Sequence, residues 1–159
     1  MGSPSIFSLS DRKILVTGAS GFLGRALCEY FVSDGAVVFA VDLNEEGLAS
    51  LESEMKPAEG YFYAFATDLS DEKQRAGLVE QLGAQTESLD GAVFAAAFVG
   101  TSDLEGWAVD FALQSLSTWR KALELNLTAP FHLTQLLEPL LSRGDGPSIV
   151  NIGSIYGSI

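Results

Sequence analysis

The chain has 159 residues, 47% of them apolar and 19% charged, which suits one ordinary globular domain able to bury roughly 70% of its unfolded surface. Nine basic residues stand against 21 acidic ones, and the net charge of -12 sets up a field that repels nucleic acid and anionic membranes as partners. A single cysteine, Cys28, excludes an intramolecular disulfide, no Cys/His cluster has metal-ligand spacing, and no segment reaches the ~18 unbroken apolar residues of a membrane helix.

The opening MGSPSIFSLSDRK has neither the charged start nor the continuous apolar stretch of a signal peptide. Residues 1–11 read as a flexible segment, and the expected location is the cytoplasm. Lys13 to Gly24 then reads KILVTGASGFLG. The apolar run Ile14-Leu15-Val16 feeds a turn holding Gly18, Gly21 and Gly24, with the small residues Ala19 and Ser20 between them. A strand stopping at such a turn, with a helix starting inside it, is a phosphate cradle. The glycines let the backbone turn tightly and approach a ligand, and the first helical N–H groups point at the anion. A tight turn with no ligand is the other reading. Because the chain is acidic, an anionic ligand must be held by local donors, namely these N–H groups and, just past Gly24, Arg25.

A first helix is predicted over 22–33, with Phe22, Leu23, Ala26, Leu27, Tyr30 and Phe31 at helical spacing and Asp34-Gly35 closing it. Residues 36–41 (AVVFAV) form a strand of the kind covered on both faces, ending at Asp42. A helix over 44–55 carries Leu48, Leu51 and Met55, and Pro57 and Gly60 break it. Residues 61–67 (YFYAFAT) read as a third strand, followed by Asp68-Leu69. Ser70 is the expected cap of a helix with Leu78, Val79 and Leu82 on its apolar side. A fourth strand spans 92–97, and a looser segment, 98–115, contains Gly100, Gly106 and Trp107. Ser117 is the expected cap of a long helix to about Ser142, with Trp119, Leu123, Leu127, Phe131, Leu136 and Leu140 among its apolar positions and a bend at Pro130. A fifth strand covers 148–152, and GSIYGSI ends the chain. Five alternations of strand and helix with short connections predict a single-domain, doubly wound α/β sheet with right-handed crossovers.

Asp42 stands 18 residues after Gly24, where a carboxylate at the end of the second strand accepts hydrogen bonds from ribose hydroxyls of a dinucleotide. A 2′-phosphate there would meet a like charge, which favours NAD over NADP. Its plain reading is a helix cap competing with Asn44. Asp68 either touches an adenine ring or initiates the turn before Ser70. Asn126, inside an apolar helix, either has a buried partner or faces solvent. Ser154 follows the fifth strand at the edge where open α/β sheets bind ligands, and turn serines are common there. His132 reads as a packing or surface residue and Cys28 as a small buried one. Trp107, Phe111 and Trp119 either cover a substrate or cap the core.

Taken together, TGASGFLG, Asp42, Asp68-Leu69, ALELNLTAPFHLTQ around Asn126 and IVNIGSIYG around Ser154 resemble the short-chain dehydrogenase/reductase family over nearly the whole chain. The resemblance implies a Rossmann-type sheet in strand order 3-2-1-4-5 and NAD-dependent hydride transfer between an alcohol and a carbonyl, with a weak hint of sugar-like substrates in FVGTSDLEGW. It places Thr17, Gly18, Ser20, Gly21, Phe22, Leu23, Gly24, Asp42, Asp68, Leu69, Ala95 and Ala96 at the cofactor. Of the family's catalytic Asn, Ser, Tyr and Lys, it places the first two at Asn126 and Ser154. Ser154 would hydrogen-bond the substrate oxygen, and Asn126 would help hold a water and the helix geometry. Homo-oligomers through the long helix are also implied for the full-length protein.

Three departures stand out. Many members of the family space their glycines as TGxxxGxG, whereas Phe22 occupies the middle glycine position here and the spacing is TGxxGxxG, as in extended members. The family's NNAG stretch reads Phe94-Ala95-Ala96-Ala97, without the polar tie that Asn gives the central sheet. The YxxxK pair lies beyond Ile159 in the family's pattern, and Tyr156 reads as a pocket wall or packing residue. Without that pair, proton transfer loses a contribution of about 10²- to 10⁴-fold, so this C-terminally truncated chain alone is expected to be inactive. The alternative is a non-catalytic dinucleotide-binding or regulatory module.

Overall fold

Apolar runs of four to six residues separated by amphipathic helices fold here as a three-layer α/β sandwich; the computed structural model describes residues 8–55, 61–98 and 104–154. The strands are β1 (Lys13–Thr17), β2 (Val37–Asp42), β3 (Tyr61–Ala66), β4 (Gly91–Phe94) and β5 (Ser148–Asn151). All pair in parallel in the order β3-β2-β1-β4-β5, as the resemblance implies. The helices are α1 (Phe22–Ser33), α2 (Glu45–Glu54), α3 (Glu72–Gln85), α4 (Leu116–Leu123) and α5 (Ala129–Leu141), with a π turn (Glu124–Thr128) joining the last two.

Side chains alternate across a strand, so the central strands feed two separate cores. Leu15, Phe39 and Ala92 meet Leu78 and Leu82 of α3 and Leu133 and Leu137 of α5. On the other face Ile14, Val16, Val38 and Ala40 meet Cys28 and Val32 of α1 and Leu48 and Leu51 of α2. Full burial from both sides explains why β1 and β2 read as unbroken apolar runs. The edge strands differ. Tyr61 and Tyr63 of β3 are exposed, and so are all four residues of β5.

Several local expectations are corrected. On α1 the buried line is Gly24, Cys28 and Val32, flanked by Leu27 and Phe31. Phe22, Leu23, Ala26 and Tyr30 face solvent, because the side against the sheet admits only small residues near the glycine turn. Asp71, not Ser70, caps α3, accepting hydrogen bonds from Lys73 N and Gln74 N. Those N–H groups, Gln74's first, hold its carboxyl below the usual range. Ser115, not Ser117, caps α4 by accepting from Thr118 N. Strand β4 stops at Phe94, because the next two N–H groups leave the ladder for the Thr17 hydroxyl.

The long helix, expected to bend at Pro130, widens just before it. Proline lacks the N–H that would close on the carbonyl of Asn126, and its ring crowds that carbonyl. The π turn over Glu124–Thr128 makes room for the ring at the cost of one residue per turn. Its expected apolar positions Trp119, Leu123, Leu127 and Phe131 are exposed, whereas Ala122, Ala129, Leu133 and Leu137 are buried. Pro57, Gly60, Gly100 and Tyr156 lie outside the described residues. Near the N-terminus, Leu9 N donates to Asp34 and Asp11 N to Gly35 O.

Leu137 is fully buried where α5 meets the sheet. Leu137→Ala is expected to lower unfolding free energy by ~2–5 kcal/mol, read as a lower urea midpoint in circular dichroism with an unchanged slope.

Candidate functional site

The strand order reverses between β1 and β4, and the carboxyl ends of the strands around that point frame a cleft of about 550 Å³. Such a switch point is where open α/β sheets bind ligands. Gly18, Ser20 and Gly21 of the glycine turn, Asp42 after β2, Asp68 and Leu69 after β3, and Ala95 and Ala96 after β4 all line it.

Gly18 adopts φ 68°, and a Cβ there would sit 2.7 Å from Ala96 N. The position requires glycine twice over, for conformation and for space. A Cβ on Gly24 would collide with the carbonyl of Gly18, so the first turn of α1 packs directly on the glycine turn. Thr17 is buried, and its hydroxyl accepts from Ala95 N at 3.2 Å and Ala96 N at 3.1 Å. The polar tie missing from the NNAG position is thus supplied from β1. Thr17 and Gly24 are supports behind the lining.

Asp42 does not cap α2; Asn44 does, accepting from Gly47 N at 3.0 Å. The Asp42 carboxylate accepts from Ser20 N at 2.9 Å through one oxygen and from Asn44 N at 3.0 Å through the other. It therefore pins the glycine turn to the end of β2. A carboxylate has about four lone-pair positions, so each oxygen keeps capacity to accept once more. Asp68 is a turn residue, its Oδ1 accepting from the backbone and hydroxyl of Ser70. Arg25 does not serve the cradle, because it pairs with Glu54 of α2.

Asn126 sits in the π turn, exposed, and its side chain grips the backbone of Phe98: Oδ1 accepts from Phe98 N at 2.7 Å, and Nδ2 donates to Phe98 O at 3.4 Å. Both sequence alternatives are partly met, since the residue is exposed and yet partnered. Phe22, with 97% of its surface exposed, and Leu23 form the outer first turn of α1, outside the cleft lining. Ser154 is exposed beyond the carboxyl end of β5.

Sequence reasoning missed Leu43, Asn44, Thr67, Ala97 and Leu125 in the lining, and also a buried cation. Arg75 is 2% exposed and donates from Nη1 to Leu69 O and Glu124 Oε1, and from Nε to His132 Nδ1. The available signal was its spacing, three and seven residues before Leu78 and Leu82 on the apolar side of α3. His132 accordingly has a packing role. Trp107 meets Phe98 edge-on with ring centres 5.5 Å apart, and a smaller cavity of about 240 Å³ lies between Trp107 and Trp119. Among the described residues no group of three or more His, Cys, Asp or Glu is placed to hold a metal, and no helix is long and apolar enough to cross a membrane.

Residues 12–159 match the family model for short chain dehydrogenase. The chain is 34% identical over 155 residues to a Pseudomonas aeruginosa rhamnolipid-biosynthesis 3-oxoacyl-(acyl-carrier-protein) reductase, covering 95% of this chain and 57% of that protein. It is 28% identical to a Mycolicibacterium smegmatis D-threitol dehydrogenase, covering 93% of this chain and 54% of the other. Among solved structures, a glucose/ribitol-type short-chain dehydrogenase/reductase from Brucella melitensis superposes with a TM-score of 0.80 at 26% identity, over 96% of this chain and 60% of that one. The chain thus spans little more than half the length of these relatives.

Cys28 is fully buried on α1, and burial, helped by Glu29 and opposed by Arg25, pushes its thiol up to about 12. Between pH 9 and about 12 the folded chain keeps a proton that the unfolded chain releases, so stability falls as pH rises through that window. At pH 8 a disulfide reagent is expected to label Cys28 only as fast as the chain opens; stoichiometric labelling within seconds in native buffer would contradict this burial.

Proposed function

The chain belongs to the short chain dehydrogenase family, and on that premise we propose that its cleft binds NAD and that the full-length protein is an oxidoreductase acting on an alcohol or carbonyl substrate. The carrying observation is the Asp42 carboxylate, fixed at the cleft beside the glycine turn with accepting capacity to spare. A diol such as the adenosine ribose satisfies those free lone pairs, and a 2′-phosphate would meet a like charge instead. The cradle itself fits a pyrophosphate: Gly18 lets the backbone turn, Gly21 caps α1 without a side chain in the way, and the helix start faces anions. With a net charge of -12 on the chain, this local arrangement must supply the attraction.

When bound, the nicotinamide supplies the hydride chemistry. The chain's own contribution is placement. Thr17 holds Ala95 and Ala96 against the turn. Asn126 holds Phe98, and with it the segment leading from β4 towards Trp107. Ser154, carried on the carboxyl side of β5, offers a hydroxyl to the substrate oxygen. Asn126's role here is to brace the backbone, in addition to the water-holding role implied by the resemblance. The substrate is a small molecule, the working form a homo-oligomer, and the compartment the cytoplasm. Support for the oligomer is the exposed apolar stripe of Leu116, Trp119, Leu123, Leu127 and Phe131 along α4, the π turn and α5. Nothing in the acidic surface suits nucleic acid as a partner.

Calorimetric titration tests the cofactor reading. NADH is expected to bind at least about tenfold more tightly than NADPH, a gap of about 1.4 kcal/mol, and Asp42→Ala is expected to shrink that gap while weakening NADH. No binding at millimolar NADH would sink the proposal, and a preference for NADPH would overturn its choice of cofactor.

A further inference from the structure

Arg75 carries a full charge into a site where only 2% of its surface reaches solvent. An arginine buried this deeply destabilises a fold unless its donors are matched. Here they are matched by three groups on three different pieces of chain. Nη1 donates to Leu69 O at 2.6 Å, in the turn after β3, and to Glu124 Oε1 at 2.8 Å, in the first residue of the π turn. Nε donates to His132 Nδ1 at 3.0 Å, one turn into α5. The imidazole meets the guanidinium as an acceptor at Nδ1.

Each of the first two partners leads to the cleft. Leu69 lines it directly. Glu124 opens the turn whose next two residues are Leu125, also in the lining, and Asn126, which grips Phe98. A π turn lacks the regular i→i−4 ladder that fixes an α-helix. It is closed instead by i→i−5 bonds such as Ala129 N to Glu124 O, and the Glu124 side chain is tied in addition to Arg75.

We propose that Arg75 is a positioning residue for the cleft, a clamp that sets the Asp68-Leu69 turn and the π turn in fixed relation, and through Asn126 fixes the segment after β4. It touches no ligand itself. The guanidinium suits the task better than a lysine would, because a planar fork reaches several acceptors at set angles. The effect on cofactor affinity rests on the NAD reading above; the effect on the Phe98 backbone does not.

The test compares Arg75→Met, which keeps length and burial, with Val32→Ala, which opens the opposite core on α1. Both would be measured for melting temperature, NADH affinity and amide exchange at Phe98. Arg75→Met is expected to weaken NADH by about tenfold, within the range reached by residues remote from a ligand, and to speed Phe98 exchange about tenfold or more. Val32→Ala is expected to lower the melting temperature while leaving both near wild type. Equal effects from the two variants, or a wild-type Phe98 rate in folded Arg75→Met, would overturn the clamp. If wild-type chain binds no NADH, the cofactor reading fails and the Phe98 rates alone decide this one. Should Arg75→Met not fold, Glu124→Gln decides: faster Phe98 exchange supports the clamp, and an unchanged rate refutes it.

Discussion

Everything at the cleft depends on how closely two backbones approach where β1 and β4 end. Gly18 packs against Ala96 with no room for a methyl group, and the Thr17 hydroxyl spans the same gap by accepting from two consecutive N–H groups. Side chains of ordinary size on either strand end would hold the two apart. Once they are together, the chain after β4 is directed over the sheet edge rather than continuing the ladder. The cleft opens in the angle between that segment and the glycine turn. An apolar sheet end would leave the N–H groups of Ala95 and Ala96 without acceptors, and one β1 hydroxyl resolves that problem for both.

The acidic surface bears directly on the anion cradle proposed for the glycine turn. A chain this negative gives a dinucleotide no long-range attraction, so binding rests on dipoles and backbone donors at contact distance. The cation just past the glycine turn, Arg25, is paired with Glu54. Arg75, the one buried cation among the described residues, sits behind the wall and pairs with Glu124. These two positive charges thus serve architecture, and the proposed recognition of a cofactor rests on N–H groups and the acceptors of Asp42.

Much of this was legible before folding was considered. Unbroken apolar runs announced buried parallel strands, and alternation with helices fixed the order of elements; the glycine spacing located the tight turn that lines the cleft. Features that escaped were those decided by competition between neighbours. Asp68, Ser70 and Asp71 are all plausible caps, and Asp71 prevails because Asp68 is already engaged with Ser70. Ser115 and Ser117 pose the same ambiguity, two residues apart. Apolar residues of α1 and of the α4–α5 run were read as core although many are exposed, because periodicity alone does not say which side of a mostly apolar helix meets the sheet. Arg75 escaped because a charged residue is ordinarily placed in water, and only Glu124, Leu69 and His132, distant in sequence or on other elements, reveal why it is not.

The π turn at Glu124–Thr128 has a consequence best put in terms of chain length. It holds one residue more than a regular helix would need over the same rise. Removing one residue there would let the run close as plain α-helix with Leu133 and Leu137 still on the core side, because the wide turn is what absorbs the surplus residue. Keeping all five residues in a regular helix would do the opposite: each residue after the turn would swing by about 100° about the axis, and Leu133 and Leu137 would leave the core together. The wide turn thus lets the segment carry an extra residue where Leu125 reaches the cleft and Asn126 reaches Phe98, without disturbing the core behind it.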